Sequence, residues 1–244
     1  MTTHPNDLWT ADFKGNFRAR DGVYCYPLTV ADQHTRYLLG CQGLLSTKGQ
    51  GVRPIFDRLF REHGRPGAIR TDNGVPFAPT GIHGLSQLNV WWMRLGIQHQ
   101  RILPAHPQQN GAHERMHRTL KAATARPPQS HLAAQQRAFN RFRVLYNEER
   151  PHQFIDGDTP ASRYRPSPRP YTGGLPPIEY PGHYVPKRVT NAGTIRFKKR
   201  LLFIANALKQ HVVGLEEVDD GIWALYFGKV LLARIDERDY ILHA

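Results

Sequence analysis

Residues 165–177, RPSPRPYTGGLPP, hold five prolines and two glycines in thirteen positions. No helix or sheet interior tolerates that density, because each proline removes a backbone donor and each glycine adds conformational freedom. The run reads as a linker and divides the chain. Ahead of it, in residues 1–164, the apolar spacing switches between strand-like and helix-like periods. Beyond it, in 178–244, the period is two. With 244 residues, there is room for one sizeable core and a small appendage.

Leu8 to Phe13 reads as a short strand ending beside an acid. Residues 23–32 (VYCYPLTVAD) and 36–42 (RYLLGCQ) complete a three-strand meander around a DQHT turn. Val52, Ile55, Phe56, Leu59 and Phe60 then fall at helical spacing, and Gly64 and Pro66 stop the helix. A strand over 67–72 (GAIRTD) follows, then a helix carrying Leu85, Leu88, Trp92 and Leu95, then a strand over 97–103. A helix from Gln109 or Asn110 to Ala125 ends at Pro127-Pro128, and Leu132, Phe139, Phe142 and Tyr146 mark another. That order predicts a layered α/β domain. In the tail, Ile195 and Phe197 alternate with Arg196 and Lys198, and Asp220-Gly221 is a hairpin signal. The tail is expected to be a small all-β, barrel-like unit.

The formal net charge of +13 favours a polyanionic partner. Residues 1–164 hold 21 Lys and Arg against 12 acids, and residues 165–244 hold 12 against 8, so both parts are basic. Two cysteines, Cys25 and Cys41, cannot supply a disulfide framework or a four-ligand zinc site and read as small buried hydrophobes. The mean hydropathy is −0.54. No apolar run approaches the roughly 18–20 residues that span a bilayer, and MTTHPNDLW is not a signal peptide. A cytoplasmic protein without a membrane partner is the expectation.

Three acids occupy rigid settings. Asp12 and Asp72 end predicted strands, and Asn73-Gly74 offers a tight turn after the second. On the helix, at ~100° per residue, Arg118 and Lys121 share the face of Glu114, while Met116, Leu120 and Ala123 turn to the core. Singly, each acid reads as a turn cap or a surface pair. Carboxylates of this kind are hard ligands that suit Mg²⁺ or Mn²⁺ and not zinc.

WTADFKG, TDNGVPF, HPQQNGAHERMHRTLK and YNEERPHQFIDGDTPASRY occur in this order across about residues 8–164. Together they resemble the catalytic core of retroviral-type integrases and of bacterial insertion-sequence transposases, the DDE recombinases. The resemblance implies an RNase H-like core, a mixed five-stranded sheet with flanking helices. It assigns Asp12, Asp72 and Glu114 as the catalytic, metal-binding triad for two Mg²⁺ (or Mn²⁺) ions. It also implies cleavage at the ends of a mobile element, transfer of the 3′-hydroxyl to target DNA, homo-oligomers on DNA, and a bacterial, nucleoid-associated setting. One departure is the 41 residues between Asp72 and Glu114, a longer spacing than usual, with the excess expected in APTGIHGLSQ. Another is that Met1 lies eleven residues before Asp12, so the helix-turn-helix module of related transposases is expected to be missing. A truncated DNA-binding remnant and an RNase H-like nuclease therefore stay open as alternatives.

Gln108, Asn110 and Gly111 match the family's loop before the catalytic helix, where they would meet DNA; a polar helix cap is the plainer reading. His99, His106, His113 and His117 cluster in sequence, and DNA or surface contact is expected of them rather than a metal site. Lys187, Arg188, Arg196, Lys198, Lys199 and Arg200 lie in a stretch without an acid. They form either a basic face for the DNA backbone or a solvated strand face. Trp91 and Trp92 are expected in the core.

Overall fold

The computed structural model describes residues 2–13, 15–48, 51–72, 74, 76–77, 85–102 and 111–243. Along them run β1 (Leu8–Phe13), β2 (Phe17–Arg18), β3 (Tyr24–Asp32), β4 (Leu38–Leu44), α1 (Val52–His63), β5 (Ala68–Thr71), α2 (Gln87–Arg94), β6 (Gln98–Arg101), α3 (Gly111–Thr124), α4 (Leu132–Glu148) and α5 (Pro160–Arg163). Seven strands follow: β7 (Val185–Arg188), β8 (Thr194–Phe197), β9 (Arg200–Phe203), β10 (Val212–Asp219), β11 (Ile222–Phe227), β12 (Val230–Asp236) and β13 (Leu242–His243). The chain divides into one unit of Met1–Phe77 with Ile97–Gly174 and a second of Ala78–Gly96 with Leu175–Ala244.

Unit 1 is built on a mixed sheet of order β2-β3-β1-β5-β6, with β4 also paired to β3. The five strands expected from the sequence are present, and the two-residue β2 makes a sixth. β1 runs antiparallel to β3 and parallel to β5, and β5 is parallel to β6. Alternation along β4 sorts the helices onto two faces. A Cβ at Gly40 would meet Leu59 of α1 at 3.3 Å, and one at Gly43 would meet Phe139 of α4 at 3.2 Å. On the α1 side, Trp9 packs against Phe60 with ring centroids 5.7 Å apart. On the other, Cys25, Cys41, Leu38, Met116, Leu120, Phe139 and Phe142 form one cluster. Both cysteines are free and buried there, as small hydrophobes, and burial pushes the Cys25 thiol up to about 11.

Two buried polar groups fasten this frame. The Asp32 carboxylate accepts from the Asn6 and Thr35 amides, each at 2.8 Å, and from the Thr35 hydroxyl at 2.7 Å, closing the β3–β4 turn. The Asn147 amide of α4 accepts from the Leu38 N–H at 2.8 Å and donates to the Leu38 carbonyl at 3.0 Å, pairing with β4 as a strand would.

The Pro-rich run departs from the expected linker. Its residues up to Gly174 belong to unit 1 and dock on the end of α1. The Ser167 N–H donates to the His63 carbonyl at 2.8 Å, the Arg65 N–H to the Arg169 carbonyl at 2.8 Å, and the Tyr171 hydroxyl to Asp57 at 2.7 Å. Gly64 sits at φ +76, and a Cβ there would lie 2.8 Å from the Ser167 carbonyl oxygen, so only glycine admits the strap.

Unit 2 also departs from expectation. It contains a helix, since α2 lies in the Ala78–Gly96 segment that the sequence reading had placed in the α/β domain. Val90 of α2 is buried in one cluster with Ile195, Phe197, Leu215, Leu225, Phe227 and Ile235. Ser86 caps the helix, accepting from the Asn89 N–H at 3.1 Å while the Asn89 side chain accepts from the Ser86 N–H at 2.8 Å. The strands form an antiparallel sheet of order β13-β12-β11-β10-β7 and a separate β8-β9 hairpin. Among the described residues that order runs from edge to edge and does not close as a barrel. Gly221, at φ +73, makes the expected β10–β11 turn. Among the described residues no helix is long and apolar enough to cross a membrane.

Candidate active site

The β1–β5 ladder pairs Leu8 with Ala68 through to Ala11 with Thr71. Asp12 follows Ala11 within β1 and Asp72 follows Thr71 directly after β5, so each stands one residue past the last pair of the parallel ladder. Two contacts hold the ends together. The rings of Phe13 and Phe77, the latter fully buried, lie 6.0 Å apart between centroids. The Phe77 N–H donates to the Gly74 carbonyl at 2.9 Å, forming the turn after Asp72. A Cβ at Gly74 would lie 3.0 Å from Asp72 Oδ2, so a larger residue would push the carboxylate aside.

Glu114 is exposed in the first turn of α3, with Arg118 and Lys121 exposed on the same face. The core face of α3 differs in part from expectation. Met116 and Leu120 are buried, but Ala123 is exposed and Thr124, His113 and His117 are buried instead. His113 and His117 are therefore not surface or DNA-contacting groups. Their rings pack edge to face, 4.5 Å between centroids, against the face of the sheet that carries Asp12. His113 Nδ1 lies 2.9 Å from the Thr10 hydroxyl, and His113 Nε2 and His117 Nε2 each lie 2.6 Å from the Thr29 hydroxyl. Thr29 also donates to the Asp12 carbonyl at 3.2 Å. A hydroxyl has one hydrogen. Given to that carbonyl, it leaves the Thr29 oxygen to accept from both imidazoles through Nε2. His117 Nδ1 is then turned toward Asp12, 3.8 Å from Oδ2. Glu114 is thus carried on a helix keyed by two histidines to the strands that hold Asp12. A signal existed in the sequence: residues 113, 116, 117, 120 and 124 fall on one helical stripe.

Of the other expected site residues, Gln108 and Asn110 lie outside the described residues, as does His106. Gly111 begins α3, and a Cβ there would meet nothing within 4 Å. His99 is half-buried: burial lowers its pKa to about 4, and Nε2 lies 2.9 Å from the Thr71 hydroxyl. In unit 2, Lys187 is half-buried on β7, while Arg188, Arg196, Lys198, Lys199 and Arg200 are exposed. The stretch has no acid in sequence, but folding brings one: Lys198 pairs with Glu237. The Arg200 guanidinium stacks 4.5 Å above Tyr240.

Two family models, both described as the integrase core domain, match residues 2–107 and 95–160. The chain belongs to the integrase core domain family. The chain is 27% identical over 190 residues to the insertion element IS476 uncharacterized 39.2 kDa protein of Xanthomonas euvesicatoria, covering 77% of this chain and 48% of that protein. It is 28% identical over 153 residues to the insertion element IS407 uncharacterized 31.7 kDa protein of Burkholderia multivorans, covering 62% and 53%. The chain thus spans about half the length of the curated relatives it matches. Among solved structures, the HTLV-2 integrase catalytic core in complex with magnesium has a TM-score of 0.52 at 16% identity, over 68% of this chain and all of that one. A simian T-cell lymphotropic virus intasome, in complex with a PP2A regulatory subunit, reaches 0.56 at 16% identity over 94% and 79%. These likenesses establish the fold of the integrase core.

As a cation site, the integrase core offers the right donor chemistry and the right strand ends. Asp12 and Asp72 each stand one residue past the last β1–β5 pair, and Gly74 leaves room for the Asp72 carboxylate. Among the described residues no three His, Cys, Asp or Glu side chains gather closely enough to hold a metal ion.

Proposed function

We propose that the chain is a transposase or integrase that cleaves DNA at the ends of a mobile element and joins the 3′-hydroxyl to target DNA. The observation that carries this reading is the parallel β1–β5 ladder that runs directly into Asp12 and Asp72, with Glu114 on the helix whose His113 lies against Thr10 and Thr29. Asp12, Asp72 and Glu114 would hold two Mg²⁺ or Mn²⁺ ions. Ions bound there would supply Lewis-acid activation of the attacking oxygen and charge relief at the leaving oxygen. The protein's own part is positional. The parallel ladder sets the spacing of the two aspartates. Thr29 and the two histidines fix the rotation of α3, and with it the direction of Glu114. Arg118 and Lys121, beside Glu114, would draw the phosphodiester backbone to the carboxylates. Gln108, Asn110 and Gly111 would touch DNA just ahead of α3. Lys187, Arg188, Arg196, Lys199 and Arg200 would extend the contact on unit 2, and Lys198 would do so only by giving up Glu237. Homo-oligomers on DNA, in the cytoplasm at the nucleoid, belong to the same reading.

Strand transfer on oligonucleotide ends in Mg²⁺ tests the reading. Asp72→Asn is expected to lower the rate by about two to three orders of magnitude, the scale of losing one electrostatic stabiliser, with an unchanged melting temperature. Equal rates in the two proteins, or no strand transfer in either, would overturn it.

A further inference from the structure

A second charged site lies in unit 1, on a face of α3 that Glu114 does not share. Ala112, Arg115, Met116 and Thr119, spaced i, i+3, i+4 and i+7, turn into a cavity of about 630 Å³. Arg36 from the β3–β4 turn, Tyr146 from the end of α4, and Arg150, His152 and Phe154 from the turn beyond it close the other sides. Among the described residues no carboxylate lines it. Among the described residues, Arg36, Arg115 and Arg150 form no ion pair, whereas Arg58, Arg61 and Arg163 each sit against an acid. The three guanidiniums act together on one group, since all of them bear on the Tyr146 phenol. Burial dominates there and pushes that phenol up to about 12, so it stays an O–H donor.

The cavity is also polar where nothing satisfies it. His152 packs edge-on against Tyr146, 4.7 Å between ring centroids, and its Nε2 is buried with no hydrogen-bond partner. Arg36 sits at φ +67 with its guanidinium 3.7 Å from the Phe154 ring, an arrangement that holds the charge in place beside Arg115. Arg115 and Arg150 are exposed and Arg36 is half-buried, so an anion can reach all three guanidiniums from solvent and meet the buried donor behind them. Guanidinium forks match the oxygen geometry of a phosphate better than that of any other common anion.

We propose that this pocket binds a phosphate group, gripped by Arg115 and Arg150 with Arg36, Tyr146 and His152 behind them. The phosphate is either a phosphodiester of a DNA strand or a free phosphate. The proposal does not depend on the role given to Asp12, Asp72 and Glu114, and binding assays test it without reference to strand transfer.

The test compares the full chain with the Arg115→Gln, Arg150→Gln double variant and with Arg137→Gln, an exposed α4 position outside the pocket that controls for loss of bulk charge. Two measurements are made: anisotropy of a labelled duplex of about 20 base pairs, and the thermal midpoint with and without inorganic phosphate. For a DNA phosphodiester, duplex affinity falls at least about tenfold in the double variant and less than about twofold in Arg137→Gln, and the salt dependence flattens. For a free phosphate, duplex affinity is unchanged, while inorganic phosphate raises the midpoint of the parent and not of the double variant. If neither measurement changes, or Arg137→Gln loses as much as the double variant, the proposal is overturned. Should the double variant fail to fold, Arg150→Lys decides. It keeps the charge without the fork, and parental affinity for both ligands would likewise overturn the proposal.

Discussion

Among the described residues, the buried polar side chains Asn6, Thr10, Thr29, Asp32, Thr35, Thr71, His113, His117, Thr124, Gln135 and Asn147 all belong to unit 1, and unit 2 has only Asn89. Unit 2 instead buries an apolar cluster from Val90 to Ile235. Burying a polar group stabilises little even when it is well bonded, and costs the full desolvation when it is not. Unit 2 thus spends its interior on stability. Unit 1 spends part of its interior on position, since Thr10, Thr29, His113 and His117 fix a helix against the strands that carry Asp12. The teaching is that a polar interior marks where geometry matters more than cohesion.

The contrast can be broken by measurement. Phe227→Ala should cost unit 2 about 3–5 kcal/mol in urea denaturation, the price of a cavity in an apolar core. A loss below about 1 kcal/mol would mean that core is not what holds unit 2. Acid should fall harder on unit 1, where, among the described residues, burial lowers the pKa of His63, His99 and His152, against that of His211 in unit 2. His99 has a folded pKa of about 4 against an ordinary 6.5, so on acidification the unfolded chain takes the proton first. Its contribution is whole above about pH 6.5 and is lost as pH falls toward 4, on the order of 2–3 kcal/mol in all. His99→Gln should flatten the stability profile over that window, and an unchanged slope would refute the assignment. Thr29→Val should cost about 2 kcal/mol, because it strips the oxygen that both imidazoles share. Replacing His113 and His117 by leucine in the same chain should recover most of that stability while leaving strand transfer impaired. Recovery of both would show that the network holds the fold and not the geometry.

Local pattern made much of unit 1 legible. The stripe of Val52, Ile55, Phe56, Leu59 and Phe60 and its stop at Gly64 suffice for α1, while Asp12 sits one residue short of the end of β1 and Asp72 one residue past β5. What escaped is what distant partners decide. His113 and His117 lie on the buried stripe of α3, yet an imidazole is buried only if something accepts its N–H, and Thr10 and Thr29 are remote in sequence. The spacing of Leu88 and Trp92 shows that α2 has an apolar face, but not which sheet that face covers. The strap at 165–174 is held by backbone bonds, which proline counting does not reveal. Arg36, Arg115 and Arg150 were scattered positive charges until the turn at Pro151 brought them to one cavity.

Unit 2 is assembled from two stretches of chain, and the earlier one, holding α2, leaves the ribosome long before Leu175 is made. During that interval Val90 has no strand of its own sheet to cover it. Nascent chains cut or stalled at Gly174 would display the bare helix and should be prone to aggregation and to capture by chaperones. The same discontinuity sets a rule for dissection: residues 175–244 expressed alone lack one wall of their core, so any fragment meant to fold as unit 2 must carry α2 with it.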